Sequence, residues 1–423
     1  MRIVIFSPGL DRSSIGQGAA GACREMVAAG EDVNVVITEH PKYFGLGLHR
    51  FDCPLTDWVN EADVERLISQ ADACIFHIGN NYDFHVGALR WLEKGKGLVC
   101  LHDFFLGHLF YEAAGDQRGQ AERILSYWYG EDASRSYFQH QSSQAFIAET
   151  RDLAPMTEWL CSQARAVITH SHWGADRVLR SCPGPVAVVP LVFDLPEALR
   201  GLPPNERMRE DRLNLLTIGH MNLNKRLDKV IEAIGADPGL RRQVRYRLIG
   251  PIEDHVRNLL ETQAASLGVK LEISGAVETS GLVEALTEAH VVSCLRHPTL
   301  EAASGSAIEA MMSGRPLLVT NAGFYAEIPD EFVLKIGVEN EVQQLRDALR
   351  WIAAKPDLAV DMASKAQAWA CETFTARNYA EQCRSVAEAM LRTNPVLDAS
   401  LIHQAQFRTW GGSGGGIRSD QLP

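Results

Sequence analysis

Two glutamates, Glu301 and Glu309, are the side chains in this sequence with the clearest capacity for chemistry. Both lie in the stretch 297–316, which follows an apolar, strand-like run and leads into a helical pattern. In an open parallel sheet this position is the carboxyl edge of the strands, where ligands bind. A carboxylate one turn into the helix could accept hydrogen bonds from two adjacent hydroxyls, as on a ribose, at about 1.5–3 kcal/mol each. Glu309 is therefore a candidate ribose ligand, and we expect Glu301 to point into the same cleft.

The turn Ser304-Gly305-Ser306 between these glutamates has the composition of an anion site. Free backbone N–H groups at the N-terminus of a helix attract phosphate. A structural interpretation is also open, because Ser306-x-x-Glu309 has the form of a capping box with Ser306 as the N-cap. The two carboxylates ahead of Ala-Met-x-x-Gly-x-Pro favour the functional interpretation.

A second polar segment, residues 216–226, follows another strand-like run. It contains Gly219, His220, Lys225 and Arg226. Cations at the end of a strand could stabilise the charge that develops on a leaving phosphate. An exposed Lys-Arg pair is otherwise an ordinary solvated surface.

Polar side chains also end two strand-like runs in the first half of the chain. One run leads to Asn81 and His85, and the next leads to His102 and Asp103. Any single histidine in such a place is also compatible with a purely structural role.

A metal site is a further possibility for the histidines. Ligands could come from His102 and Asp103 with His108, or from His170 with His172. Neither group has a known zinc spacing. We therefore expect no metal.

The block Glu-x7-Glu followed by Glu-Ala-Met-x-x-Gly-x-Pro, residues 301–316, resembles a motif of the family-4 retaining glycosyltransferases of the GT-B fold, bacterial type. The resemblance implies that Glu309 holds the ribose of a nucleotide sugar and that Glu301 lies beside the transferred sugar. It further implies that amides near Ser304, Gly305 and Ser306 meet the diphosphate. It also implies that no bound metal is needed for transfer.

The segment after the strand at 214–218 resembles the family pattern Gly-Arg-Leu-x-x-x-Lys-Gly. Lys225 matches the Lys, whereas His220 stands at the position of the Arg and Arg226 at the position of the final Gly. The sequence leaves open whether His220 or Arg226 supplies the second positive charge.

The resemblance also covers the polar strand ends of the first half. It implies that His102 hydrogen bonds to the transferred sugar or the acceptor, with Asp103 close behind it. It places Asn81 and His85 on the same sugar or acceptor side.

A literal GxGxxG at residues 16–21, with Glu39 further on, fits a dinucleotide fingerprint in spacing. Several residues separate the first strand from Gly16, whereas a Rossmann turn has its first glycine directly after the strand. We interpret residues 8–18 as the first loop of a GT-B enzyme, with Gly16 and Gly18 as site candidates near the diphosphate and the acceptor.

The elements that must position these residues are short Val- and Ile-rich runs that alternate with helix-period segments. This pattern predicts an α/β protein with GT-B architecture, two Rossmann-like doubly wound domains facing a central cleft. We predict an acceptor-side domain at 1–193 with a helical insertion at 104–163, a linker at 194–212, a nucleotide-sugar domain at 213–375, a C-terminal helix at 376–394 that crosses back to the first domain, and a flexible tail at 395–423.

Composition limits the partners and the compartment. The 423 residues carry 41 Lys and Arg against 53 Asp and Glu, a net charge of −12, which disfavours nucleic acid. No run approaches the ~20 apolar residues of a membrane span. The nine scattered cysteines favour a reducing compartment. We expect a cytoplasmic protein, with peripheral contact to the inner face of a membrane left open.

These observations predict a retaining glycosyltransferase without a cofactor. Its partners would be a UDP- or GDP-linked sugar and an acceptor hydroxyl on a glycan, a lipid-linked molecule or a small molecule. Two alternatives remain. One is an NAD(P)-dependent oxidoreductase that uses the loop at 16–21. The other is a non-catalytic nucleotide-sugar binder, which is suggested by His220 at the position where the family has an Arg.

Overall fold

The computed structural model describes residues 1–199, 202 and 212–411, which form two α/β domains, each built on its own parallel sheet. The strands of the first sheet are β1 (Arg2–Ser7), β2 (Asp32–Ile37), β3 (Leu55–Asp57), β4 (Ala73–Ile78), β5 (Leu98–Leu101), β6 (Ala166–Thr169) and β7 (Val186–Val188). All pairs are parallel and the order is β3-β2-β1-β4-β5-β6-β7. The central strand β4 is buried along its whole length, as expected of a strand covered on both faces.

Helices connect these strands and cover both faces of the sheet. They are α1 (Ser14–Ala28), α2 (Glu61–Gln70), α3 (Tyr82–Gly95), α4 (Gly107–Ala114), α5 (Arg118–Tyr129), α6 (Glu131–Ser136), α7 (Ser143–Thr150), α8 (Thr157–Cys161) and α9 (Ala175–Ser181). Helices α4 to α8 occupy the stretch between β5 and β6. Their aromatic side chains pack against one another there, with the rings of Phe110 and Tyr137 5.8 Å apart and those of Tyr137 and Phe146 5.1 Å apart.

The second sheet has the same doubly wound form. Its strands are β8 (Leu213–Ile218), β9 (Val244–Ile249), β10 (Lys270–Gly275), β11 (Val291–Cys294), β12 (Leu317–Thr320) and β13 (Leu334–Ile336). They are all parallel, in the order β10-β9-β8-β11-β12-β13. The helices that follow are α10 (Leu227–Gly235), α11 (Pro238–Gln243), α12 (Asp254–Leu267), α13 (Thr279–Glu288), α14 (Gly305–Met312), α15 (Phe324–Glu327), α16 (Glu341–Ala354), α17 (Pro356–Thr373) and α18 (Ala376–Gly411).

The last helix, α18, packs against the first domain rather than the second. Its buried side chains Tyr379, Cys383 and Met390 belong to the same apolar cluster as Ile3 and Val35 of the first sheet. The first and second domains are therefore connected both by the chain at 189–212 and by this returning helix.

Residues 395–411 of the predicted flexible tail belong to α18, which continues to Gly411 in spite of Pro395. A proline inside a helix removes one hydrogen bond. Just beyond it, Nη2 of the buried Arg165 pairs with Oδ1 of Asp398 at 2.5 Å and holds this turn against the first domain. Residues 412–423 of the predicted tail, and residues 200, 201 and 203–211 of the predicted linker, lie outside the described residues. None of the helices within the described ranges is long and apolar enough to cross a membrane.

Candidate functional site

A cavity of about 620 Å³ lies between the two domains. Segments that follow the carboxyl ends of β1, β5, β7, β8 and β11 line it. The first domain contributes Ser14, Ile15, Gln17, Gly18, His102, Asp103 and residues 191–193, and the second contributes Gly219, His220, Asn222, Lys225, Arg296, Glu301, residues 303–306 and Glu309. Both sheets thus present their ligand-binding edges to one cleft.

Glu309 lies in this cavity on α14, and its carboxylate makes no side-chain hydrogen bond to the described part of the chain. The capping-box interpretation is wrong, because the N-cap is Ser304, whose Oγ accepts from the amide of Ala307 at 3.4 Å. Helix α14 therefore begins at Gly305, which places Glu309 beyond the first turn. Burial raises the pKa of Glu309 to about 7, and Lys225 opposes that rise.

The N-terminus of α14 also lines the cavity. Gly305 and Ser306 are its first two residues, so their backbone N–H groups have no partner within the helix. The hydroxyls of Ser304 and Ser306 lie 3.3 Å apart beside them. These donors and the positive end of the helix dipole suit an anion.

Lys225 ends a short 3-10 turn, Leu223–Lys225, and is only 3% exposed. Its Nζ donates to the backbone carbonyl of Ile218, at the end of β8. Burial lowers the pKa of Lys225 to about 7, and the nearby Arg296 lowers it further. A buried ammonium beside Glu309 in the same cavity is positioned to bind a phosphate group.

The two residues considered for the second positive charge have different surroundings. His220 is exposed and lines the cavity together with Gly219, whose φ of +87° makes the turn after β8. Arg226 does not line the cavity. Its Nε and Nη2 donate to the buried carboxylate of Glu341 at 3.0 and 2.6 Å, so the structure does not place this predicted donor ligand with the other site residues.

Arg296 is a cavity residue that the sequence analysis missed. It lies two residues after β11, and its Nε forms an ion pair with Oε1 of Glu301 at 3.0 Å. Tyr325 donates its hydroxyl to the same oxygen at 2.7 Å, so the Glu301 side chain is fixed from two sides. Arg296 belongs to neither motif. A cation just past a strand end, at the ligand-binding edge, is the signal that could have found it.

His102 reaches the cavity from the end of β5 and is held by other histidines. Its Nε2 lies 2.9 Å from Nδ1 of His77, and its ring centroid lies 4.8 Å from that of His170. Burial lowers the pKa of His102 well below its usual value, so the ring is neutral. The contact with His77 leaves Nδ1 of His102 as the nitrogen available to a ligand.

Asp103, next in the chain, also lines the cavity. Its Oδ2 accepts from the amide of Asn80 at 2.7 Å. Burial raises the pKa of Asp103 to about 7, and the charge of Glu301 adds to that rise.

Three predicted residues of the first domain do not line the cavity. Asn81 is exposed at the start of α3, and His85 is buried, where desolvation lowers its pKa to about 3. Gly16 packs beneath the first loop, where a Cβ would lie 2.6 Å from the carbonyl oxygen of Pro8. Gly18 lines the cavity instead, and a Cβ there would lie 2.9 Å from Val192.

The geometry around Glu39 counts against a dinucleotide site at residues 16–21. Glu39 is buried, and its Oε1 accepts from the amides of Gly9 and Leu10 at 2.6 and 2.8 Å. This carboxylate therefore anchors the first loop and does not face a ribose. Gly16 already lies inside α1, which is capped by Ser13.

Within the described residues, no three His, Cys, Asp or Glu side chains come together to hold a metal ion. His108 hydrogen bonds to Asn80 and Ser143 rather than joining His102. His170 is buried against the carbonyl of Val189, whereas His172 is exposed and pairs with Glu327.

Residues 202–369 match the family model described as glycosyl transferases group 1. The matched segment includes Lys225, Arg296, Glu301 and Glu309. No curated protein sequence matches the chain.

Solved structures resemble most of the chain. Sucrose-phosphate synthase from Thermosynechococcus elongatus is 15% identical, with a TM-score of 0.61 over 95% of this chain and 100% of that one. Anabaena HepE in complex with UDP and glucose is 15% identical, with a TM-score of 0.59 over 92% of this chain and 100% of that one. TarM is 10% identical, with a TM-score of 0.62 over 91% and 98%. The fold is that of the GT-B glycosyltransferases, as the sequence predicted.

Proposed function

We propose that this protein is a retaining glycosyltransferase of the family-4 type, which moves a sugar from a UDP- or GDP-linked donor to an acceptor hydroxyl. The observation that carries the proposal is the carboxylate of Glu309. It has no side-chain partner among the described residues and shares one cavity with Lys225 and the N-terminus of α14. The match of residues 202–369 to glycosyl transferases group 1 supports it.

The second domain binds the donor nucleotide. Glu309, when ionised, accepts hydrogen bonds from the two ribose hydroxyls. The ammonium of Lys225 and the free amides of Gly305 and Ser306 surround the diphosphate. These groups are fixed before the donor binds, so they stabilise the charge that develops on the diphosphate as it leaves.

The transferred sugar lies toward Glu301, which Tyr325 and Arg296 hold in place. The acceptor enters from the first domain, beside His102 and Asp103. A bond forms between the acceptor oxygen and the anomeric carbon while the bond from that carbon to the phosphate oxygen breaks. The proton of the acceptor hydroxyl passes to the leaving diphosphate, on the same face of the sugar. Closure of the cleft around the reactants excludes water.

Transfer is independent of a bound metal in this proposal, since Lys225 and the start of α14 supply the positive charge. Donor turnover in EDTA should equal turnover in added Mg²⁺ or Mn²⁺. A loss of most of the activity on chelation, restored by one of these ions, would contradict this part of the proposal.

The first test is nucleotide binding, measured as the shift in melting temperature with UDP, GDP, ADP, NAD and NADP. We expect UDP or GDP to stabilise the protein. Stabilisation by NAD or NADP but by no nucleoside diphosphate would favour the oxidoreductase alternative.

The second test is donor turnover, including slow hydrolysis, in Glu309→Ala and Lys225→Ala. Lys229→Ala is the matched control, because Lys229 is on α10 and pairs with Glu232 at 2.8 Å. Wild-type rates in both site variants would contradict the proposal. Binding of a nucleotide sugar with no turnover over a broad acceptor panel would identify a non-catalytic binder.

A further inference from the structure

The cavity contains a second, partly buried cation that neither sequence motif contributes. Arg296 follows β11, whereas Lys225 follows β8, and these two strands are neighbours in the second sheet. The side chain of Arg296 is 14% exposed. Adjacent strands therefore bring a guanidinium and an ammonium to the same edge of the sheet.

The contacts of Arg296 fix its side chain but leave part of it free. Its amide donates to Oγ1 of Thr320 at 2.8 Å, its Nη1 donates to the carbonyl of Leu295 at 2.8 Å, and its Nε forms an ion pair with Glu301. Its Nη2 has no hydrogen-bond partner in the part of the chain that the structure describes. A guanidinium has five N–H donors and keeps its charge at every physiological pH.

Two like charges in one cavity repel each other, and the carboxylate of Glu301 that pairs with Arg296 offsets only part of this repulsion. The proximity of Arg296 is the largest cause, after burial, of the lowered pKa of Lys225. A diphosphate would satisfy both cations, with Nη2 of Arg296 donating a charge-assisted hydrogen bond to a phosphate oxygen. Of the other two candidate cations, Arg226 lies outside the cavity and pairs with Glu341, whereas His220 lines the cavity at an exposed position.

We propose that Arg296 is the second diphosphate-binding cation of this protein and that the same guanidinium positions Glu301 for the transferred sugar. This inference rests on the proposed function. One side chain would then bind the phosphates through its free nitrogen while its Nε holds the carboxylate beside the sugar. The segment after β8 has a histidine at position 220, and in this proposal Arg296, in the segment after β11, supplies the second positive charge instead.

The test compares the binding of UDP and of uridine by calorimetry in Arg296→Gln and Arg296→Lys. We expect Arg296→Gln to weaken UDP binding by about 10- to 100-fold while uridine binding changes less than twofold. Arg296→Lys keeps a charge but has a single nitrogen, which cannot contact Glu301 and a phosphate in the way the guanidinium does, so its affinity for UDP should lie between those of wild type and Arg296→Gln. The melting temperature of each ligand-free variant shows that it is folded.

Arg247→Gln is the matched control, because this guanidinium of the second domain lies outside the cavity and pairs with Glu272 at 2.9 Å. It should bind UDP like wild type. A double variant tests whether a cation at position 220 can replace the one at position 296. His220→Arg in the Arg296→Gln background should recover at least part of the UDP affinity, because position 220 lines the same cavity.

Two outcomes separate this inference from the proposed function. Loss of UDP binding in Lys225→Ala but not in Arg296→Gln would overturn the role of Arg296 and leave the proposed function standing. Failure of the wild-type protein to bind UDP, GDP or ADP would overturn both. Equal weakening of UDP and uridine in folded Arg296→Gln would show a structural effect and would also overturn the assignment to the diphosphate.

Discussion

Asp103 of the first domain and Glu301 of the second pair their backbones as an antiparallel bridge across the cleft. The amide of Ala302 donates to the carbonyl of His102 at 2.9 Å, and the amide of Phe104 donates to the carbonyl of Leu300 at 2.9 Å. The two domains are therefore joined directly beside the candidate sugar-binding groups. This contact brings two carboxylates together and contributes to the raised pKa of Asp103.

Replacing Glu309 by Gln should abolish the ribose contact and yet stabilise the ligand-free protein at alkaline pH. The pKa of Glu309 is raised from 4.5 to about 7, so the folded protein holds the carboxylate protonated more readily than the unfolded chain does. Ionisation therefore destabilises the fold increasingly between these values and fully above pH 7. We expect Glu309→Gln to be more stable than wild type by about 3 kcal/mol at pH 8, with no difference at pH 4.

Urea denaturation at the two pH values measures this difference, and UDP calorimetry on the same samples measures binding. A variant that loses stability at pH 8 would show that the Glu309 carboxylate has a stabilising partner, contrary to the structure.

Nucleotide binding should depend on pH through two groups with opposite effects. Ionised Glu309 is needed for the ribose, so affinity should fall as the pH drops below about 7. Protonated Lys225 is needed for the diphosphate, so affinity should fall as the pH rises above about 7. Calorimetry at pH 5.5, 7 and 8.5 should show the alkaline loss for UDP and the acid loss for uridine, each about tenfold.

The alkaline loss should be missing for uridine, which has no phosphate, and should disappear in Lys225→Met. The acid loss for uridine should disappear in Glu309→Gln. An alkaline loss of the same size for uridine and UDP would mean that Lys225 does not act on the phosphates.

His77 should act as a positioning residue for His102. Removing the 2.9 Å contact between their rings in His77→Asn frees His102 to rotate. We expect the turnover number to fall by about 10- to 100-fold with little change in UDP affinity, because His102 is on the sugar and acceptor side. His255→Asn, on the exposed face of α12, is the control. Equal losses in turnover and UDP affinity would instead point to general damage to the cleft.

Arg226→Ala should lower stability without weakening UDP binding. The buried carboxylate of Glu341 would lose the guanidinium that donates to it at 2.6 and 3.0 Å. We expect a loss of about 1–3 kcal/mol in the free energy of unfolding, from chemical denaturation, and a dissociation constant for UDP within twofold of wild type. A clear loss of UDP affinity at unchanged stability would instead show that Arg226 contributes to donor binding.

The parts of the site that the sequence predicted are those encoded over short distances. Glu301, the Ser304–Ser306 turn and Glu309 lie within one loop and the helix that follows it, so their spacing places them at one strand end. The N-cap was assigned two residues too late, because Ser304 and Ser306 are both good capping residues.

The order of apolar runs and helical segments was by itself enough to predict two doubly wound domains. Buried parallel strands and amphipathic helices each have a characteristic pattern of apolar residues over a short stretch of sequence. Only the tertiary structure decided which cations face the cleft. Arg226 is next to Lys225 in the chain but turns to Glu341, while Arg296, far along the chain, reaches Lys225 through the pairing of β8 with β11. Strand order and ion pairing depend on contacts between residues that are far apart in the sequence. A short sequence motif therefore cannot predict either of them.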